Sequence, residues 1–280
     1  MEVSVIGLGR MGSGMASTLL RAGHRVKGYD VSRQAMERLS GSGNFTAASG
    51  LADALDADFV ILSLPTGKEV REMVSLWGGG SVLVDTTTLG VDEVSRITSS
   101  LRNPENYLTC RLERGPKEAS EGRLAMFIGG PMSTYERCRP LLDALGEHVY
   151  IGSHQQATVM KLVSNMVGTA IVDLLAQVSV VLRRVSIDRE TAIRALSMGG
   201  ADTVQLFRLR WQVSGEYEES FSLSLAQHVI QMALESSRSL GVDKLPIVEM
   251  NNLMMKSAIL SGVGKKDVSE IAEFYQSVNQ

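Results

Sequence analysis

The stretch VIGLGRMGSGMA, residues 5–16, thins its side chains where an apolar strand should hand over to a helix. Gly7, Gly9 and Gly12 fit G-x-G-x-x-G between the strand-like VSVI and MASTLLRAGH, which reads as a helix. In that spacing the first glycine permits a tight turn, the second clears space for a diphosphate, and the third lets helix and strand pack closely. The helix N-terminus adds unpaired N–H groups and the positive end of its dipole. An ordinary tight turn uses glycines too, so the three residues alone are a weak sign. Context strengthens them. A second strand, RVKGY, ends at Asp30, about twenty residues on, where a dinucleotide fold sets an acid on the adenosine ribose.

Composition narrows the classes. A chain of 280 residues with net charge −3 has no basic excess for nucleic acid. Cys110 and Cys138 lie far apart in no metal-like spacing, so both read as incidental thiols and no metal site is expected. The N-terminus enters a strand at once, without a basic segment and apolar stretch, and no run reads as a membrane span. The expectation is a cytoplasmic protein with a small-molecule substrate and no nucleic-acid or membrane partner.

Strand and helix alternate up to about residue 150. DFVILSLP (58–65) and SVLVDTTT (81–88) are apolar bursts ending in polar residues, as buried parallel strands do when their C-terminal ends face a ligand. LAMFIGG and HVYIG are further strands, with TYERCRPLLDAL between them as a helix. After Gly152 strand signals stop. Helical periodicity runs from His154 to Arg184, followed by DRETAIRALSMG, DTVQLFRLRWQV, SLSLAQHVIQMALESSRSLG, LPIVEMNNLMMKSAILSG and KDVSEIAEFYQSV. The fold class is α/β followed by all-helical: a dinucleotide-binding domain over 1–152 and a helical domain over 153–280, joined by one long helix.

These motifs resemble the β-hydroxyacid dehydrogenase family, relatives of 3-hydroxyisobutyrate dehydrogenase, tartronate semialdehyde reductase and 6-phosphogluconate dehydrogenase. GLGRMGSGMASTLLRAGHRV is similar to that family's extended opening, G-x-G-x-M-G-x-x-M-A followed by G-H. LSLP, VDTTT, EGRLAMFIGG and KLVSN match its further segments, so the likeness covers essentially the whole chain. The resemblance implies a Rossmann-type domain, an NAD(P)-dependent oxidoreductase acting on CH–OH, and a homodimer or homotetramer built through the helical domain.

Gly7, Gly9, Arg10, Met11 and Gly12 are expected around the pyrophosphate, Asp30, Ser32 and Arg33 at the ribose, and Leu64, Pro65 and Thr88 on the nicotinamide side. NAD and NADP stay equally open, since Asp30 suits a 2′-hydroxyl while Ser32 and Arg33 suit a 2′-phosphate. Lys161 and Asn165 stand one helical turn apart, on one face. Carbonyl reduction needs a proton donor beside the oxygen, and a lysine in a partly dry cleft can serve; the amide holds the same oxygen. A lysine snorkelling from an apolar helix is the plainer alternative.

The departures from the family pattern concern the substrate. The family's Ser-Gly-Gly turn, which grips a substrate carboxylate, aligns with Glu113, Arg114 and Gly115 in TCRLERGPKEA. The later Lys-Asp pair aligns with His228-Val229, and the G-x-x-G-x-G opening of the long helix with GSHQQA. Arg111, Glu113, Arg114 and Lys117 also read as a solvated loop, and His228 as a core histidine. A carboxylate would be repelled by Glu113 unless Arg114 or Arg111 neutralises it, whereas arginine forks, with His228 or His154, suit a tetrahedral oxyanion; Glu113 pairing with a substrate ammonium is the contrary reading. The preferred substrate is therefore a 2-oxoalkyl phosphonate reduced to its alcohol. A conventional 3-hydroxy acid or semialdehyde is the family default. Imine reductases share the fold but usually replace the lysine, and a non-catalytic binding module would be expected to lose it.

Overall fold

The computed structural model describes residues 1–184, 187–198, 206–240 and 242–279. Two compact units follow one another, Met1–Lys161 and Leu162–Gln280.

In the first unit, eight strands form one sheet: β1 (Glu2–Ile6), β2 (Arg25–Tyr29), β3 (Phe45–Ala47), β4 (Phe59–Leu62), β5 (Val82–Asp85), β6 (Tyr107–Glu113), β7 (Leu124–Gly129) and β8 (Gly146–Gly152). Their order is β3-β2-β1-β4-β5-β6-β7-β8. All pairs are parallel except β6 with β7. The strands β1 to β6 therefore end on one common edge. The helices between them are α1 (Arg10–Arg21), α2 (Arg33–Glu37), α3 (Leu51–Leu55), α4 (Gly67–Leu76), α5 (Val91–Ser99), α6 (Pro116–Glu121) and α7 (Met132–Leu145).

The period of two sorts each strand's side chains into two cores. Val3, Val5, Phe59, Ile61, Val82, Val84, Leu108 and Cys110 pack on one side of the sheet. Ile6, Val60, Leu62, Leu83 and Tyr107 pack on the other. Both faces are covered, which is why these strands read as continuous apolar runs. The two thiols are buried and free, and burial pushes Cys138 up to about 12, so both are unreactive packing groups. β3 and β6 are not among the strands read from the sequence. β3 is too short for a pattern, and the polar residues on one face of β6 read as a loop.

Chain contacts place the division between the units inside α8 (His154–Arg184). By length and composition, the segment His154–Ala176 of this helix is apolar enough to cross a membrane, which corrects the expectation that no run reaches that length. Its first two turns, however, are tied to β6 by polar and charged side chains, described below. The second unit continues with α9 (Arg189–Ser197), α10 (Leu206–Ser214), α11 (Leu223–Ser239), α12 (Pro246–Ala258) and α13 (Ile271–Ser277). Its core joins Val172 and Ala176 to Ile230, Leu234, Met255 and Ile271. Residues 199, 202–205 and 241 of the helices read from the sequence lie outside the described residues.

Arg114 has φ +69°, a left-handed conformation that favours glycine. It follows β6 where the family pattern has the first glycine of its pair. The strain, roughly 1–3 kcal/mol, is offset by an exposed ion pair to Glu147 at 3.0 Å and a hydrogen bond to the Arg123 carbonyl at 2.6 Å. Arg114→Gly should therefore leave unfolding stability within about 1 kcal/mol of the parent, because strain and contacts are lost together. Arg114→Val, branched at the same φ, should cost more than about 1 kcal/mol. Urea unfolding of both variants checks this; equal stabilities would refute the strain.

Candidate active site

The common strand edge collects the residues expected to hold a dinucleotide. Gly7 to Gly12 lead from β1 into α1, Asp30 ends β2, Leu64 and Pro65 follow β4, and Thr88 follows β5. β1 lies between β2 and β4, the point where the strand order reverses and where open α/β sheets bind ligands.

The three glycines divide by what a side chain would meet. Gly7 has φ +93°, and a Cβ there would lie 2.2 Å from the Ser63 carbonyl oxygen. A Cβ on Gly12 would lie 1.8 Å from the Gly7 carbonyl oxygen. Both are required by the fold itself. Gly9, the N-cap of α1, has an ordinary φ of −65°, and a Cβ there would meet nothing within 4 Å. Nothing among the described residues needs a glycine at Gly9. The bare backbone suits a diphosphate approaching from outside, and the residues present fit that group. Met11 packs partly against the core, while Gly9 and Arg10 are exposed at the helix start.

Asp30 is fixed rather than free to turn. Its Oδ2 accepts from the Leu8 N–H at 2.6 Å and its Oδ1 from the Ser32 N–H at 2.8 Å. The carboxylate thus braces the glycine turn against the end of β2. Ser32 caps α2 without a side-chain cap bond, and Arg33 is exposed beside it.

The chemistry-bearing groups stand along β6. Alternate residues Thr109, Arg111 and Glu113 share one strand face, and His154, Thr158 and Lys161 share one face of α8. They meet in three rungs. Thr109 Oγ1 lies 3.1 Å from His154 Nδ1. Arg111 Nε donates to Thr158 Oγ1 at 3.2 Å. Lys161 Nζ lies 3.3 Å from Glu113 Oε1. Two strand residues rise roughly 6.6 Å and three to four helical residues about 4.5–6 Å, so the ladders stay nearly in step over three rungs.

Arg111 anchors the middle rung. Its guanidinium and the Asp85 carboxylate are both fully buried and 3.0 Å apart. Arg111 also donates to the Thr87 carbonyl, and Tyr107 Oη donates to Asp85 Oδ2 at 3.0 Å. Arg111 is therefore no solvated loop residue. Asp85 and Thr87, read as part of the segment against the nicotinamide, turn into this network; Thr86 is buried with its hydroxyl donating to the Leu62 carbonyl, and Thr88 is the half-buried one.

Electrostatics follow from burial. Desolvation, helped by Arg111, lowers His154 to about 4, so its ring is neutral near pH 7. Desolvation also pushes Lys161 below the ordinary lysine range, while the Glu113 carboxylate pulls it back up and Arg111 pushes it down again. The net direction is downward, toward easier release of the proton.

The turn after β6 departs from expectation. Arg114 is exposed and engaged with Glu147 and the Arg123 carbonyl, away from the Lys161–Glu113 rung. The Gly115 N–H donates to Glu118 Oε2 at 3.0 Å and starts α6. Of the three residues aligned with the substrate-gripping turn, Glu113 alone faces Lys161. Asn165, one helical turn beyond Lys161, is half-buried in the second unit. His228, on α11 of that unit, is exposed, which excludes the core-histidine reading. Arg111, Asp85, Thr109 and Thr158 were not foreseen as a network; polar residues at every second position of β6 were its available signal.

Residues 2–153 match a family described as the NAD binding domain of 6-phosphogluconate dehydrogenase. Residues 156–275 match one described as NAD-binding of NADP-dependent 3-hydroxyisobutyrate dehydrogenase. The chain is 28% identical to 3-sulfolactaldehyde reductase of Escherichia coli K12, over 97% of this chain and 94% of that protein. A solved 3-hydroxyisobutyrate dehydrogenase from Salmonella typhimurium superposes with TM-score 0.84 at 22% identity, covering 98% of this chain and 99% of the other. Psf3 in complex with NADP+ and 2-OPP superposes with TM-score 0.85 at 18% identity, with the same coverage.

Gly9→Val should leave apo stability within about 0.5 kcal/mol, because the added side chain enters open space, and should weaken NAD(P) binding at least about tenfold. Gly12→Val should fail to fold. Thermal melts with cofactor titration check both; unchanged affinity in Gly9→Val would return all three glycines to a purely structural role.

Proposed function

The chain belongs to the β-hydroxyacid dehydrogenase family, and from that premise we propose that this NAD(P)-dependent oxidoreductase uses Lys161 as the acid and base for a small carbonyl compound and its alcohol. When bound, the nicotinamide supplies or takes the hydride at the carbonyl carbon. Lys161 gives its proton to the carbonyl oxygen in reduction and takes it back in oxidation. The observation that carries this reading is a lysine amine buried beside a carboxylate, at the strand edge where the glycine turn opens. Asn165, one turn on, is assigned to hold the same oxygen, and the helical unit to form oligomers.

Asp30 favours NAD. Turning its carboxylate away to admit a 2′-phosphate beside Ser32 and Arg33 would break its bonds to the Leu8 and Ser32 N–H groups. Held as it is, the carboxylate suits a 2′-hydroxyl and repels a phosphate.

For the substrate, the engagement of Arg114 with Glu147 and Arg123 weakens the main reason for preferring a 2-oxoalkyl phosphonate. A short semialdehyde, interconverted with its 3-hydroxy acid, becomes the first reading. A carbonyl compound with a tetrahedral oxyanion stays second, because one relative is named for 3-sulfolactaldehyde and one solved neighbour holds 2-OPP. An imine substrate is disfavoured by the retained lysine.

Lys161→Met should bind NADH as the parent does but lower turnover by on the order of 10²-fold or more. The assay follows nicotinamide absorbance with tartronate and methylmalonate semialdehydes, 3-sulfolactaldehyde and 2-oxopropylphosphonate. Near-parental turnover in the variant would refute the role. The ranking of specificity constants decides between the carboxylate and tetrahedral substrates.

A further inference from the structure

We propose that Glu113 is a positioning residue that keeps Lys161 in its charged, proton-loaded form at the end of β6, biasing the site toward delivering a proton. This rests on the reading of Lys161 as the acid and base. Glu113 is the last residue of β6, on the face that carries Thr109 and Arg111, and it forms the outermost rung. Both partners are sheltered, with side chains 19% and 11% exposed. Glu113 Oε1 is buried and meets no hydrogen-bond donor of good geometry among the described residues, so its acceptor capacity is directed at the ammonium 3.3 Å away. Its neighbours do not compete for it: Arg114 is engaged with Glu147, and the Gly115 N–H with Glu118.

The charges around Lys161 within this unit make Glu113 decisive. The charges acting on the lysine are Glu113 and Arg111, both from β6; Asp85 on β5 and His154, neutral near pH 7, belong to the rungs further along. Asp85 is committed to Arg111 and Tyr107. Without Glu113, the lysine would share a buried seam with an arginine and no carboxylate of its own. Arginine does not give up its proton, so the lysine would. A serine, as in the family pattern, lacks the charge to prevent this.

The step balances simply. In reduction a hydride and a proton add to the carbonyl, the ammonium becomes an amine, and water restores its proton. Glu113 neither gains nor loses atoms. It raises the fraction of lysine that is loaded when the carbonyl arrives, and it penalises the neutral amine that oxidation needs.

The test reads Lys161 directly, on the full chain without substrate. The pH dependence of its acylation by trace acetic anhydride, measured by peptide mass spectrometry, gives the midpoint at which the amine loses its proton. In Glu113→Gln this midpoint should fall by about one unit or more, a tenfold loss of proton affinity. Glu113→Ser should shift it the same way and replaces the glutamine variant if that one misfolds by circular dichroism. A midpoint that stays or rises in a folded variant overturns the inference. That failure is separable from failure of the acid/base reading, which would show as turnover surviving Lys161→Met.

Discussion

The site depends on one buried ion pair. Arg111 and Asp85 are both removed from water, and between them they engage Thr87, Tyr107 and Thr158. Two isolated charges in such a place would be costly, and stripping one partner from a buried pair typically loses about 3–5 kcal/mol. Here the pair joins adjacent strands, β5 and β6, and through Thr158 it fixes the first turns of α8. The rungs on either side inherit their alignment from it. His154 is held against Thr109, and Lys161 is delivered to Glu113. The same buried positive charge helps keep His154 neutral and depresses Lys161. Burial is the first cause of both shifts, and the Arg111 charge adds to it.

The sheet gives this seam its place. Because β1 to β6 run parallel through their neighbours, their C-terminal ends share an edge, and residues far apart in the chain become neighbours along it. The glycine turn and its brace, Asp30, occupy the middle of that edge, and Glu113 stands further along it. Gly7 and Gly12 are fold requirements, whereas Gly9 leaves space that the protein does not fill.

Much of this was legible because its signals are local. The glycine spacing, the apolar bursts of β4 and β5, and Lys161 with Asn165 one turn apart each depend on a few adjacent residues. What escaped depends on partners distant in sequence. Arg111 reads as one charge in a polar loop until Asp85, twenty-six positions away, is seen beneath it. Arg114 reads as a ligand donor until its left-handed φ turns it toward Glu147. Gly115 keeps the residue type of a substrate turn, but its N–H is taken by Glu118. His228 carries no pattern that separates an exposed helix face from a site. Residue identity carried the backbone and the glycine turn, and side-chain direction decided the rest.

The central claim is that the glycine turn and the β6–α8 seam serve one reaction. A crystal structure with NAD bound tests it most directly. The account predicts the diphosphate over the backbone of Gly9, the ribose on Asp30, and the nicotinamide ring on the side of the strand edge where Lys161 meets Glu113. A diphosphate held away from Gly9, or a nicotinamide out of reach of the Lys161 amine, would contradict it.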